Sequence, residues 1–144
     1  LARLLSAPGP RTVRAGDLAR RPPVVAGLNA SVRDVARLMA QNAVGLVVIA
    51  DEMQRVVGVV SERDVVRAVA SGLDLSSPAS KIMSSPAVTV DAEEPVWRVA
   101  QLMRERGVRH VVVTRAGSLY GVISIRDLIA ERSALLKLVE LSQL

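Results

Sequence analysis

One phrase occurs twice in this chain, as GVVSERD over residues 58–64 and as GVISIRD over residues 121–127. Each copy puts a serine three residues before an aspartate, Ser61/Asp64 and Ser124/Asp127, with Arg63 or Arg126 directly before the carboxylate. These residue types suit two kinds of work. An ionised carboxylate only accepts hydrogen bonds and can take two hydroxyl donors at once. A serine that opens a helix, the free N–H groups of the first turn and a nearby guanidinium together make a place for an anion. The same spacing is also a capping-box signal, in which serine and acid bond only to each other's backbone. Glu or Gln is preferred as the acid there, so capping alone demands Asp less. No enzyme activity is expected. The chain has no Cys and His110 is its single His, so neither a thiol nucleophile, a His–acid constellation nor a metal cluster can be assembled.

A scaffold must present the phrase twice, and an internal repeat does so. At an offset of 64 residues Val24 meets Val88, and Val32, Val35, Ala36 and Met39 meet Val96, Val99, Ala100 and Met103. Val44, Val47 and Val48 likewise meet Val108, Val111 and Val112. One residue is lost between ADEMQRV and TRAGSL, as a hairpin turn tolerates, and the two phrases align at an offset of 63. Each copy then reads β-α-β-β-α. A short extended piece (PPVVA or PAVTV) precedes a helix with apolar residues at helical spacing, Ser31 its N-cap in the first copy and Pro95 at its start in the second. Two β-branched runs and the phrase-capped helix follow, the helix running from Glu62 to about Ser71 or from Ile125 to about Leu136. The predicted organisation is an N-terminal extension (1–12), repeat one (13–72), a polar linker (73–79), repeat two (80–130) and a C-terminal helix (131–144). Trp97, at the edge of its helix's apolar stripe, and the tail with Leu128, Leu135, Leu136, Leu138, Val139 and Leu141 are expected to meet another subunit.

Bulk composition narrows the function classes. Half of the 144 residues are hydrophobic, yet there is no Phe, one Trp and one Tyr, so aliphatic side chains must fill the core. No apolar run approaches the roughly 20 residues that span a bilayer, and LARLLSAPGPRT lacks the form of a signal peptide, so no membrane partner and a cytoplasmic location are expected. The net charge of +5, carried mostly by Arg, favours anionic partners. Nucleic acid is the less favoured of these, because the chain has no aromatic platform for stacking bases and no dense basic run.

The ordered set of elements, given twice, resembles a tandem pair of CBS domains. SKIMSSPAVTVDAEEPVWRVAQLMRERGVRHVVVT and YGVISIRDL are especially close to that pattern, and the resemblance covers about Val13 to Ala130. It implies an α/β (α+β) fold in which two pseudo-symmetric repeats pack sheet to sheet with helices outside and clefts between the copies. It also implies a ligand sensor without catalysis, usually a homodimer, sometimes fused to or read by an effector protein. AMP, ADP or ATP is the expected ligand, with S-adenosylmethionine a further candidate, and no cofactor is required. In such a cleft Asp64 and Asp127 would take ribose hydroxyls. Ser61, Ser124, Arg63 and Arg126 would serve phosphate. The stretches holding Val25, Val44, Gly45, Val108 and His110 would line the adenine slot. The clefts should differ, because Thr89 stands opposite Val25 in the repeat, and Arg109 and His110 opposite Gly45 and Leu46. Which aspartate shares a cleft with Thr89 and His110 stays open at this level, as does whether His110 touches ligand or is structural. The competing reading is a ligand-free dimerisation scaffold.

Overall fold

The computed structural model describes residues 13–19, 22–131 and 140, so the expectations for residues 1–12 and for the tail leucines and Val139 lie outside it. Within it the chain forms α1 (Ala15–Leu18), β1 (Val25–Gly27), α2 (Val32–Asn42), β2 (Leu46–Ala50), β3 (Val56–Ser61) and α3 (Glu62–Ala70). A 3-10 turn (Ala79–Lys81) leads to β4 (Thr89–Asp91), α4 (Val96–Arg106), β5 (His110–Arg115), β6 (Ser118–Ser124) and α5 (Ile125–Ala130). The two copies thus share the β-α-β-β-α order read from the sequence.

Each copy builds a three-stranded sheet, ordered β1-β2-β3 and β4-β5-β6. The first two strands of each run parallel, joined by α2 or α4, and the last two are an antiparallel hairpin. Parallel neighbours need a long crossover, whereas an antiparallel pair needs only a turn. Every residue of LVVIA in β2 is buried, as are Val111 to Val113 in β5, as expected of central strands covered on both faces. The hairpin slip lies where the repeat loses a residue, at register shifts between Ile49 and Ala50 and between Val113 and Thr114.

Helix α2 begins as its sequence requires. Ser31 accepts from the Asp34 N–H at 3.0 Å, and Asp34 accepts from the Ser31 N–H at 3.1 Å. Both α2 and α4 end in a left-handed residue at equivalent positions, Ala43 (φ 53°) and Gly107 (φ 63°). Pro95 occupies the N-cap of α4, one residue before its first turn.

The two copies exchange their opening segments. Helix α1 precedes the first sheet in the chain, yet Ala15, Leu18 and Ala19 are buried in the second copy's core with Val90, Val96 and Val111. Ala79 is buried in the first copy's core beside Val35 and Ile49, with Ile82 and Met83 packed against it. The hydrogen bonds repeat this exchange. Ala15 N–H donates to Glu94 O (2.7 Å) and Ala79 N–H to Ala30 O (2.8 Å). Val96 N–H donates to Val13 O (3.0 Å) and Val32 N–H to Ser77 O (2.9 Å). Ser84 also pairs with Val59 at the edge of the first sheet.

That last contact explains one glycine of the repeated phrase. A Cβ added to Gly58 would lie 2.6 Å from Ser84 O and 3.0 Å from Met83 Sδ. The crossing strand cannot recede without losing its pairing. Gly58→Ala is therefore expected to destabilise the chain by about 1–3 kcal/mol, as over-packing does, measured by urea unfolding.

Trp97 is 50% exposed on α4, as its position at the stripe's edge implied. Leu128 differs from expectation. It is buried in the second core rather than adding to an apolar surface, because α5 turns that face onto β6 and α4.

Candidate functional site

Each hairpin delivers its phrase to a helix start, β3 into α3 at Ser61 and β6 into α5 at Ser124. Ser61 is extended (φ −98°, ψ 165°), as is Ser124 (φ −98°, ψ 162°), so the chain passes directly from sheet to helix. Asp64 N–H donates to Ser61 Oγ at 3.3 Å, while Asp64 Oδ2 accepts from the Ser61 N–H at 2.8 Å and its hydroxyl at 3.0 Å. Ser124 and Asp127 repeat the pattern at 3.3, 2.7 and 3.1 Å. The capping box is therefore formed in both copies. It occupies only Oδ2, and among the described residues no hydrogen bond reaches Oδ1 of either aspartate. Capping thus fixes the carboxylate and leaves one oxygen as a positioned acceptor.

A cleft of ≈ 330 Å³ lies where the copies meet. From the first copy come Gly45, Leu46, Val59, Ser61, Glu62, Arg63, Asp64 and Arg67. The second copy supplies Ser84, Pro86, Val88, Gly107, Val108, Arg109, His110 and Val112. Of the residues singled out in the sequence, Ser61, Arg63, Asp64, Gly45, Val108 and His110 come together here. Asp64 is thus the aspartate that shares its cleft with His110. Thr89 does not join them; it is exposed on β4, paired with Val112. Val25 is partly exposed on β1 and borders a broader groove of ≈ 870 Å³ with Leu28 and Met53. Val44 is half-buried ahead of β2. Ser124, Arg126 and Asp127 stand at the pseudo-equivalent helix start in the second copy.

Arg67, Glu62, Ser84, Pro86 and Gly107 escaped the sequence reading. Arg67 had a signal, since it lies four residues after Arg63 on one face of α3. Ser84 and Pro86 had none, because they enter only through the strand that crosses to the first copy.

The first turn of α3 offers fewer free donors than the sequence suggests. The Glu62 N–H already donates to Gly45 O at 3.1 Å, and that of Asp64 to Ser61 Oγ. Positive charge in this cleft therefore comes chiefly from Arg63, Arg67 and Arg109, whose guanidinium groups have no carboxylate partner among the described residues. His110 packs at the junction, its ring atoms 3.4 Å from where a Gly45 Cβ would stand, with Glu62 Oε1 as close on that side. Burial holds the imidazole below its usual pKa, a shift opposed by the Glu62 and Asp127 carboxylates and reinforced by Arg109 and Arg126. At neutral pH His110 is uncharged, able to donate from one ring nitrogen and accept at the other.

This duplicated architecture matches a known family. The CBS domain family model matches residues 15–71 and 79–134, the two copies seen in the fold. The chain belongs to the CBS-domain family. It is a CBS pair, and its likeness to solved structures is close. A CBS domain protein from Pyrobaculum aerophilum, complexed with AMP, is 47% identical with a TM-score of 0.84, covering 89% of this chain and 99% of that one. A hexameric CBS-CP12 protein from bloom-forming cyanobacteria is 26% identical, with a TM-score of 0.80 and coverage of 88% and 76%. An uncharacterized 17.7 kDa protein of Acidianus ambivalens is 37% identical over 101 residues, which make up 69% of this CBS pair and 61% of that protein. No described helix is long and apolar enough to cross a membrane.

Proposed function

We propose that this CBS pair is a regulatory module that binds an adenine nucleotide in the Asp64 cleft and performs no catalysis of its own. The observation that carries this reading is the free Oδ1 of Asp64, held in register by its capping box inside a cleft built from both copies. An ionised carboxylate with one unoccupied oxygen suits the paired hydroxyls of a ribose. Val59, Val88, Val108 and Val112 offer an apolar slot for a purine, and the backbone groups around Gly45 and Val108 offer polar contacts at its edge. Arg63 serves the phosphate. The complex of the Pyrobaculum relative with AMP supports the ligand class.

Bound nucleotide touches both copies, so it ties together two bodies that otherwise meet through exchanged segments and the cleft walls. A signal follows only where two states of the pair differ in affinity. The reader of that signal is a second copy of the chain, an effector protein or a fused domain. A homodimer is supported by apolar residues left exposed on the helices: Val66 (65%) and Val69 (58%) on α3, Ile125 (40%) and Ile129 (60%) on α5, and Trp97 on α4. Val66 and Ile129 are equivalent in the repeat, so this apolar surface has the module's own pseudo-symmetry. The same surface is what favours the second reading, a dimerisation scaffold that binds no ligand.

Calorimetry with AMP, ADP, ATP and S-adenosylmethionine on the whole chain separates the two. Saturable binding by at least one adenine compound is expected. A chain that dimerises but gives no heat and no thermal shift with any of them is the scaffold.

A further inference from the structure

The two halves of the repeat differ most in charge. The register of His110 opposite Ser124, and of Leu46 opposite Ser61, makes Arg109 the counterpart of Gly45. The matching hydrogen bonds, Glu62 N–H to Gly45 O and Ile125 N–H to Arg109 O, agree. Arg67 corresponds to Ala130 in the same way. The Asp64 cleft therefore holds Arg63, Arg67 and Arg109, whereas the equivalent positions around Asp127 hold Arg126, Ala130 and Gly45. Neither Arg67 nor Arg109 is spent on an ion pair within the described residues. The acids in the cleft are otherwise occupied: Asp64 is tied to Ser61 through Oδ2, and Glu62 lies beside His110.

We infer that the Asp64 cleft takes a nucleotide carrying more than one phosphate, with Arg67 and Arg109 as the residues that read the added charge. This rests on the nucleotide reading above and deepens it. A single phosphate is served by Arg63 and what remains of the α3 first turn. Two further guanidiniums, one a helical turn further along α3 and one on the opposite copy ahead of β5, have no function in holding an adenosine monophosphate. They supply forked donors on both sides of a longer phosphate chain. A diphosphate then spans the two copies through charge as well as through the purine, so it binds them together more firmly than a monophosphate does.

The test is calorimetry of adenosine, AMP and ADP with the full chain, with Arg67→Ala plus Arg109→Gly, and with Asp64→Asn. Ala130 and Gly45 already occupy the matching positions, so the double substitution suits the fold; Arg67→Gln plus Arg109→Gln is the fallback if it does not express. ADP is expected to bind roughly tenfold tighter than AMP, one added charge-assisted contact, with an affinity that falls steeply with salt. In the arginine double variant the ADP-to-AMP ratio is expected to fall to about one. Equal affinity for AMP and ADP in the native chain, with both lost in Asp64→Asn, overturns this inference and leaves the nucleotide reading standing. An unchanged ratio in both arginine variants overturns it equally. No binding of any of the three compounds overturns both.

Discussion

Asp64→Asn is expected to weaken nucleotide binding by roughly thirty- to a hundredfold, about 2–3 kcal/mol for a charged hydrogen-bond partner lost from a cleft, while changing stability by less than about 1 kcal/mol. The two effects part because the two carboxylate oxygens do separate things. Oδ2 accepts from the Ser61 N–H and hydroxyl. The asparagine oxygen can accept those same bonds, so the start of α3 survives. The amide nitrogen then replaces Oδ1, and two donors confront the ribose hydroxyls where an acceptor stood. Ser61→Ala provides the contrast. It removes the acceptor for the Asp64 N–H and releases the carboxylate from its hydroxyl partner. It should cost about 1 kcal/mol of stability and loosen binding only through a less fixed Asp64. Titration calorimetry beside urea unfolding measures both quantities on the same samples. Native-like affinity in Asp64→Asn defeats the ribose assignment and leaves the aspartate as a helix cap alone.

The sequence made the repeat legible because each copy keeps one apolar pattern, a 3.6-residue stripe followed by two β-branched runs. Val35 and Val99, or Val47 and Val111, are fully buried for that reason. Ser31, Ser61 and Ser124 were legible as caps because capping is local. What stayed hidden was non-local. Nothing in AGDL says that α1 belongs to the second core, since a small apolar helix serves either copy equally well. For the same reason the pairing of Asp64 with His110 could not be read, as it depends on which edges of the two copies meet. Thr89 was singled out by its hydroxyl, yet strand alternation turns it away from the buried Val90 and it does not line the Asp64 cleft. Arg67 was passed over because its role comes from the opposite copy's Arg109, not from its neighbours in the chain.

Cutting the chain between its copies is expected to unfold both, although each copy holds a complete β-α-β-β-α set. Residues 13–72 alone lose Ala79, Ile82 and Met83 from their core, the Ala79–Ala30 and Val32–Ser77 hydrogen bonds, and the Ser84 pairing at the edge of β3. They also leave α1 with nowhere to bury Leu18. Residues 73–131 lose Ala15, Leu18 and Ala19, and with them the bonds to Ala92 and Glu94. Burying one leucine contributes about 1.5–3 kcal/mol, a large part of what a domain of this size has to spare. Neither fragment should show a cooperative melt by circular dichroism, whereas an equimolar mixture should recover part of one. Extending the first fragment to residue 86 returns its missing segment and should raise its helicity on its own. In the intact chain, Leu18→Ala should cost about 2–4 kcal/mol, the usual range for a buried leucine. Its loss of amide protection should fall on Val111 to Val113 in the other copy, since that is the core Leu18 completes. A fragment of residues 13–72 that melts cooperatively at the temperature of the whole chain would make the exchange a packing detail. Failure of both fragments makes the pair a single folding unit, in which a ligand bound between the copies strengthens an interface that the fold already depends on.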